Sequence, residues 1–191
     1  MLTVVANSRP GHPWVFSNEV VEPPVKQLPA GGAVEVFDPR GKFLGRGYAN
    51  PHSLISIRLF AGSSESPDDP QLYAMRLANA LALRERVVPG RRSYRLCAGE
   101  SDGLPGLIID RYEDVLSVQV TTLGMEIRRD AIRAALEALL APKGVVFRGD
   151  VKLREYEGLP LEKGVWWGEV PERVPFEENG VRYAADLVEG Q

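Results

Sequence analysis

The sequence predicts a mixed β and α+β fold: a small β-barrel, then an α+β unit of antiparallel strands with one long helix, and finally a β-hairpin. Up to about Phe60, short apolar segments alternate with turn residues, which is typical of small barrels and sandwiches. Beyond that point, longer strands surround an amphipathic helix at about 125–140, as in a two-layer α+β unit. Residues 61–70 are rich in Gly, Ser, Pro and Asp and therefore mark a boundary between the two patterns.

The clearest strands of the front unit are predicted at 33–37, 43–49 and 54–59. Val34 and Val36 fall on one face of the first of these strands. Asp38-Pro39-Arg40-Gly41 supplies a turn to the second. This arrangement predicts a β-hairpin in the barrel.

Apolar residues at helical spacing predict a connecting helix at 72–88, closed by Pro89-Gly90. Beyond the second helix, Glu178-Asn179-Gly180 predicts the turn of the last hairpin, because Asn-Gly readily adopts positive φ. The strands predicted after the connecting helix lie at 94–98, 107–112, 115–120, 145–148, 165–167, 174–177 and 181–187, with a short helical turn at 152–157.

Composition narrows the class of protein. The 191 residues are 44% hydrophobic and 26% charged, as in ordinary globular proteins, and no apolar run is long enough to cross a bilayer. A single cysteine, Cys97, excludes an internal disulfide and suits a reducing cytoplasm, so we expect a cytoplasmic protein without a membrane partner. With a net charge of −3, any contact with nucleic acid must come from a local basic patch.

A cluster near the amino terminus, Arg9-Pro10-Gly11-His12-Pro13-Trp14-Val15-Phe16-Ser17, combines cations, aromatic rings and hydrogen-bonding groups. Bases stack on aromatic rings while arginine holds phosphate, so Arg9, His12 and Trp14 are candidate RNA contacts. The alternative is that Trp14 and Phe16 are core residues.

A glycine-rich loop with acidic residues, 99–106, precedes an apolar strand that carries Asp110. It lacks the lysine of a phosphate-binding loop and leads into a strand, so a hairpin turn is the favoured interpretation and a catalytic site is not. No glycine-rich turn joins a parallel strand to a helix, so we predict that the chain holds no cofactor. His12 and His52 lie forty positions apart with no third ligand, so no metal site is predicted.

A second basic cluster occupies 147–159. On a helical turn Asp150 and Arg154 are four residues apart and could pair, which would leave Arg148 and Lys152 for a partner. Salt bridging and RNA contact both remain open for this cluster. Cys97 is predicted to be a buried, unreactive thiol.

Several of these segments, taken in order, carry a resemblance. The chain resembles the amino-terminal half of the bacterial large-subunit (23S) rRNA cytosine-C5 methyltransferases, which join a PUA domain and a small α+β linking domain to a class I methyltransferase domain that uses S-adenosylmethionine (SAM). The resemblance covers essentially the whole chain. The matching segments are Gly11–Ser17, Glu100–Tyr112, Gly149-Asp150 with Arg154 and Glu157-Gly158-Leu159, Gly168-Glu169-Val170-Pro171, and the Glu178-Asn179-Gly180 hairpin leading to Gly190-Gln191.

The resemblance implies four regions: a PUA-like RNA-binding barrel at 1–66, a connecting helix at 67–90, an α+β linking domain at 91–172, and a hairpin at 173–191 that leads to an absent methyltransferase domain. SAM is then implied for the full-length protein and not for this chain. In that family a cysteine of the methyltransferase domain attacks the cytosine. Cys97 does not match its motif, so no catalytic residue is predicted and the chain alone is expected to be inactive.

The resulting expectation is an RNA-binding and substrate-positioning module whose partner is large-subunit rRNA. One alternative is a protein-interaction or dimerisation module without RNA affinity, in which apolar strands and Trp166-Trp167 join a homodimer. Another is a free-standing enzyme that uses the loop from Glu100 to Asp110. The candidate RNA contacts are Arg9, His12, Trp14, Arg46, Arg148 and Lys152.

Overall fold

The first sheet is built from six short strands. The structure, a computed structural model, describes residues 1–178 and 180–190. Neighbouring strands are antiparallel except for the parallel pair Leu2–Ala6 and Ala33–Phe37, and the sheet curls into a half-barrel. The strands, in the spatial order β2-β6-β5-β4-β1-β3, are β1 (Leu2–Ala6), β2 (Trp14–Phe16), β3 (Val20–Glu22), β4 (Ala33–Phe37), β5 (Phe43–Ala49) and β6 (Ile55–Ala61).

Alternating side chains fill this half-barrel as the sequence pattern predicts. Val34 and Val36 are fully buried on one face, together with Val4, Val15 and Ile57. The three predicted strands are confirmed, the last displaced by one or two residues. A Cβ at Gly47 would lie 1.8 Å from the carbonyl oxygen of Arg58, so β5 and β6 approach each other more closely than a side chain there allows.

Helix α1 (Pro70–Val87) follows the half-barrel. The Asp69 side chain accepts a hydrogen bond from the Gln71 amide at 2.9 Å, and Pro70 occupies the first turn, where no amide donor is needed. These two residues start the helix two positions before the predicted apolar pattern begins.

The second sheet has five strands and one parallel pair. The predicted antiparallel order holds except between the strands Val115–Val120 and Gly144–Gly149, which run parallel because a helix carries the chain back between them. In the spatial order β11-β10-β9-β8-β7, the strands are β7 (Ser93–Ala98), β8 (Leu107–Tyr112), β9 (Val115–Val120), β10 (Gly144–Gly149) and β11 (Glu162–Gly168).

The helix predicted at 125–140 is divided in two, α2 (Leu123–Glu126) and α3 (Arg129–Leu140), and a short α4 (Leu153–Tyr156) follows β10. Helices α1 and α3 contact each other and share one core with the five-stranded sheet. Within residues 1–178 and 180–190, no helix combines the length and the apolar character needed to cross a membrane. The core includes Leu77, Leu96, Ile109, Val118, Ile132, Leu136 and Val145.

The last hairpin, β12 (Val174–Glu178) and β13 (Val181–Ala185), joins a smaller apolar cluster. Val174 and Leu187 pack there with Val115 and Val146 of the five-stranded sheet. The hairpin is confirmed, whereas Asn179 of the predicted turn and Gln191 lie outside the described residues.

The half-barrel and the five-stranded sheet share a buried junction. Tyr48 of β5 belongs to the core of the second unit, where its hydroxyl donates to the carbonyl oxygen of Pro105 at 2.6 Å and lies 2.9 Å from the hydroxyl of Thr122. A Cβ at Gly124 would lie 2.0 Å from the Tyr48 ring, so a glycine is needed there. The two units are therefore packed against each other through fixed contacts.

Candidate nucleic-acid interface

Three rings at the start of β2 form a surface cluster. Trp14 lies edge-on to His12 at 5.9 Å and to Phe16 at 6.4 Å, measured between ring centroids. Nδ1 of His12 lies 3.1 Å from the backbone amide of Trp14 and 3.0 Å from its carbonyl oxygen, so the imidazole is held against the start of β2. Val15, and not Trp14 or Phe16, enters the barrel core, and Phe16 is 37% exposed. The rings are thus available to a ligand on the surface.

Trp14 also reaches the second unit. Its indole Nε1–H donates to Oε1 of Glu100 at 2.9 Å, and Glu100 lies in the loop between β7 and β8. Arg58 of β6 donates to the same oxygen at 3.3 Å, and its guanidinium carbon lies 5.8 Å from the centroid of the Trp14 ring. One carboxylate therefore binds the indole and the guanidinium of the half-barrel together.

Arg58 is joined to a second carboxylate behind it. Arg58 is only 7% exposed, and its other amino group lies 3.6 Å from Oε1 of Glu157. Oε2 of Glu157 accepts from the side-chain amide of Asn50 at 2.7 Å and from the backbone amide of Leu123 at 3.3 Å. The network spans β6, the β5–β6 loop, the start of α2 and the turn after α4.

A cavity of about 360 Å³ opens where these elements meet. Trp14, Ile55 and Arg58 line it from the half-barrel, and Glu100 and Ile108 line it from the second unit. Its remaining lining residues are Arg95, Ala98, Gly99, Gly106, Thr121, Thr122 and Leu153. The hairpin prediction for the 99–106 loop is confirmed, but its contact with Trp14 was not predicted.

Two of the predicted RNA contacts are exposed cations on segments that lead to residues lining this cavity. Arg9 lies in the turn that precedes β2, where its carbonyl oxygen accepts from the His12 amide at 3.1 Å. Lys152 is exposed and precedes Leu153, which lines the cavity. Neither side chain makes an ion pair within residues 1–178 and 180–190. Both are therefore free to meet phosphate.

Arg46 is instead held by the chain itself. It donates to the carbonyl oxygens of Ser63 at 2.6 Å and Glu65 at 3.1 Å and pairs with Glu35 at 3.3 Å. These contacts tie β5 to the segment that leads into α1. Contact between Arg46 and RNA stays a prediction, and it would have to compete with three partners.

Arg148 is also engaged, and the pairing predicted around it is wrong. Asp150 does not pair with Arg154; it accepts two hydrogen bonds from Arg148, each at 3.0 Å. The Arg148 hydrogen bonds hold the pKa of the Asp150 carboxyl below its usual value. Arg148 is 8% exposed and also donates to the carbonyl oxygen of Gly190 at 2.7 Å, so it anchors the carboxyl-terminal segment.

Arg154 is fully buried, and its partners differ from the Asp150 carboxylate considered in the sequence analysis. It donates to the carbonyl oxygens of Val120 at 2.6 Å and Pro160 at 2.9 Å and pairs with Glu126 at 2.8 Å. Its guanidinium carbon lies 5.3 Å from the Phe147 ring. Arg154 therefore fixes the turn that carries Lys152 and Glu157.

Cys97 is buried and its thiol contacts the carbonyl oxygen of Leu107 at 3.4 Å. Burial raises the pKa of this thiol to about 12, against an ordinary value of 9.0. The expected unreactive cysteine is confirmed, since a reactive thiol needs a lowered pKa and access to solvent.

Trp166 and Trp167 lie on β11, an edge strand of the five-stranded sheet. The guanidinium carbon of Arg129 lies 4.9 Å from the Trp166 ring, and that of Arg133 lies 4.9 Å from the Trp167 ring. Both rings are half-buried under these cations. They do not form a bare apolar patch.

The half-barrel matches a known domain family. Residues 5–61 fit the model of a PUA-like domain. These residues form a PUA-like domain. The aromatic cluster, Arg58 and the cavity wall formed by Ile55 all lie within it.

Curated relatives match nearly the whole chain. Ribosomal RNA large subunit methyltransferase I of Alteromonas mediterranea is 39% identical over 181 residues, and the enzyme of the same name from Shewanella denitrificans is 40% identical over 182. Each alignment covers 94% of this chain but only 45% and 46% of the relative. The chain is homologous to these proteins and spans about half of their length.

Solved structures share the fold. A Streptococcus mutans protein assigned as a SAM-dependent methyltransferase superposes over 100% of this chain and 50% of its own, with a TM-score of 0.79 at 20% identity. A methyltransferase crystallised with S-adenosylhomocysteine gives the same score, with 48% of its chain covered. The PUA-like domain and the α+β unit thus occur together, in this arrangement, in other proteins.

Proposed function

We propose that this chain is the RNA-binding and substrate-positioning part of a SAM-dependent methyltransferase that acts on cytosine C5 in large-subunit rRNA. The observation that carries the proposal is the convergence of Trp14, Arg58 and Glu100 on one cavity at the junction of two units. Aromatic rings and arginine beside an open cavity are the groups with which proteins bind unpaired RNA. The homology to rRNA methyltransferases supports the same role.

The proposal assigns the contacts in two groups. His12 and Trp14 meet bases, while Arg9 and Lys152 meet phosphates, because all four are exposed or half-exposed, Trp14 lines the cavity and Lys152 precedes its lining residue Leu153. Arg46 and Arg148 act at the edge of the interface, if RNA displaces part of their present partners. We keep the division into four regions, with boundaries near residues 66, 90 and 172. In this division the cavity lies between the PUA-like barrel and the α+β linking domain.

The chemistry belongs to the remaining half of the full-length protein. SAM would supply the methyl group there, in the cytoplasm where rRNA is processed. The role of the present chain is to hold the RNA segment, and the fixed junction between the PUA-like domain and the α+β unit suits that role because it keeps the contacts in one geometry.

The test is fluorescence anisotropy of the chain with a large-subunit rRNA fragment across a range of salt concentrations. Single strands give a slope of log K against log salt of about −0.7 per phosphate contacted, so two to four contacts predict a slope of about −1.4 to −2.8. Arg9→Ala and Trp14→Ala should each weaken binding several-fold, whereas Arg86→Ala, an exposed cation on α1 away from the cavity, should not. Absence of binding at low salt would contradict the proposal.

One observation favours a second function, a dimerisation module. β11 is an edge strand, and Val165 on it is 52% exposed beside Leu161 at 46%. An exposed apolar edge can pair with a second copy. Light scattering that gives a concentration-dependent mass, together with no RNA affinity, would support this function in place of the first.

A further inference from the structure

We propose that the cavity between the PUA-like domain and the α+β unit takes one unstacked nucleobase that carries an exocyclic amino group. This inference rests on the proposed RNA-binding function and names the chemistry that the site selects. Its volume of about 360 Å³ lies at the lower end of the range for small-molecule sites, about 300–1,000 Å³. Such a volume suits one base with part of its ribose.

The lining has the mixed character that a base requires. Ile55, Ile108 and Leu153 offer apolar contact, and Trp14 offers an aromatic ring. The polar groups are concentrated at Glu100 and Arg58. An apolar slot with a few fixed polar groups orients a ligand by its hydrogen-bonding edge.

Glu100 supplies the selecting group. Both hydrogen bonds that it accepts from other side chains fall on Oε1, from Trp14 at 2.9 Å and from Arg58 at 3.3 Å. Among residues 1–178 and 180–190, no donor is assigned to Oε2, and the side chain is 34% exposed. Oε2 is therefore available to accept from a ligand.

An acceptor of this kind favours bases with an amino group. A carboxylate accepts well from the exocyclic amine of cytosine, and adenine and guanine carry comparable amines. Uracil has a single ring N–H between two carbonyl oxygens, which would face the negative charge. The expected order is therefore cytosine, adenine or guanine before uracil.

The walls are held in place before any ligand arrives. Asp102 accepts from Arg84 of α1 at 2.7 Å and from the Ala98 amide at 2.7 Å, which fixes the loop that carries Glu100. A Cβ at Gly106 would lie 2.2 Å from the Thr122 hydroxyl, so this loop packs directly on the segment before α2. A rigid cavity loses little entropy when a base enters.

Cations at the rim of the cavity favour a base that is attached to phosphate over a purely apolar ligand. Arg95 lines the cavity with a side chain that is 54% exposed, although it also donates to Asp110 at 2.8 Å and 3.0 Å, and Lys152 precedes the cavity residue Leu153. Phosphates on either side of an inserted base would meet these two cations. The base can come from an RNA strand or from a free nucleotide, and the experiment separates the two sources.

The experiment uses Trp14 as the reporter. The chain has three tryptophans, so Trp166→Phe with Trp167→Phe leaves Trp14 as the only one. Its fluorescence is followed during titration with cytidine and uridine monophosphates, and with eight-nucleotide oligocytidine and oligouridine. We expect quenching by the cytidine ligands and about 5- to 150-fold weaker binding of the uridine ligands, the range of one good base contact.

Two variants test the assignment. Glu100→Gln should abolish the preference for cytidine over uridine, because the amide presents both a donor and an acceptor. The control Glu155→Gln removes one exposed charge from α4 and should preserve that preference. Ile108→Phe keeps Glu100 but fills the cavity and should also remove the preference. Circular dichroism confirms that each variant is folded.

The outcomes separate this inference from the proposed function. Salt-dependent RNA binding with equal affinity for both oligonucleotides would overturn the base pocket and leave RNA binding intact. Quenching by cytidine monophosphate alone, without RNA affinity, would support a nucleotide pocket and overturn the RNA function. No response to any ligand would overturn both.

Discussion

The indole Nε1–H of Trp14 donates to Oε1 of Glu100 at 2.9 Å, across 86 positions of sequence and between two structural units. Trp14→Phe keeps an aromatic ring and removes only this donor and part of the ring. We expect a loss of about 1 kcal/mol in the free energy of unfolding, the usual contribution of a hydrogen bond that water can partly replace. Urea unfolding measures it, with Trp167→Phe as the control on an edge strand. An unchanged midpoint for Trp14→Phe would contradict the contact.

Tyr48→Phe tests the buried junction. The hydroxyl donates to the carbonyl oxygen of Pro105 at 2.6 Å in a fully enclosed site, so its removal leaves that oxygen unpaired. The expected cost is about 1–3 kcal/mol. Tyr156→Phe is the matched control, because Tyr156 is 74% exposed and should change stability by less than about 0.5 kcal/mol. Equal midpoints for the two variants would show that the Tyr48 hydroxyl contributes nothing to the free energy of unfolding.

Arg154→Ala should be among the most destabilising single changes. The side chain is fully buried, and its loss removes the donor to Oε2 of Glu126, which keeps Arg129 on Oε1, and to two carbonyl oxygens. Breaking a buried pair in this way costs about 3–5 kcal/mol. Arg86→Ala, on an exposed helix face, should cost less than about 0.5 kcal/mol. Thermal unfolding followed by circular dichroism compares the two.

Arg148→Ala and Lys152→Ala should separate stability from binding. Arg148→Ala removes the partner of Asp150, and we expect a cost of about 2–3 kcal/mol, below the full value for a buried pair because Asp150 is a third exposed. Lys152→Ala should leave stability unchanged and reduce the salt slope of RNA binding by about 0.7. If Arg148→Ala weakened RNA binding without loss of stability, and Lys152→Ala lowered stability, the roles assigned to the two residues would be wrong.

The Arg148–Asp150 pair also predicts a dependence on pH. The pKa of Asp150 is lowered in the folded chain, so its contribution to stability is present above the ordinary carboxyl pKa and is lost as pH falls through the folded value. The difference in stability between the wild type and Arg148→Ala should therefore shrink on acidification. Urea unfolding at several acidic pH values checks this, and a constant difference would count against the pair.

Cys97 predicts how the stability of the fold changes at alkaline pH. The unfolded thiol ionises near 9 while the folded thiol has a pKa of about 12, so above pH 9 the unfolded chain binds fewer protons than the folded one. Stability should then fall as pH rises from about 9 to 12, and less steeply in Cys97→Ala. Thiol labelling with a chromogenic disulfide at pH 8 should be slow until the chain is unfolded.

Local patterns in the sequence were sufficient for most of the secondary structure. The alternation around Val34 and Val36, the turn at Asp38, and the helical spacing after Pro70 depend on neighbours within a few residues, and each prediction was confirmed. The break at Ile127 and Arg128 depends on a distant contact: Arg128 turns back to the carbonyl oxygens of Gly31 and Pro67. No local pattern carries that information.

The residues of the candidate site also divide into those that the local sequence predicted and those that only the fold brings together. Trp14 stood out because a ring beside cations is unusual, whereas Glu100 and Arg58 meet it only after the chain has folded. A charged residue inside the apolar segment Ile55–Ala61 was the one available signal for Arg58. The pairing of Asp150 with Arg154 failed because helical spacing was applied to residues that precede α4.

Arg128 has a consequence for protein engineering. A single buried guanidinium reaches the PUA-like domain at Gly31, the connecting segment at Pro67 and Asp68, and its own unit at Gly124. The domain is therefore not an interchangeable module, because residues 5–61 grafted onto another protein would lose the hydrogen bond from Arg128 to Gly31. A working chimera would have to carry the Arg128 anchor with it, and natural recombination at this boundary would face the same constraint.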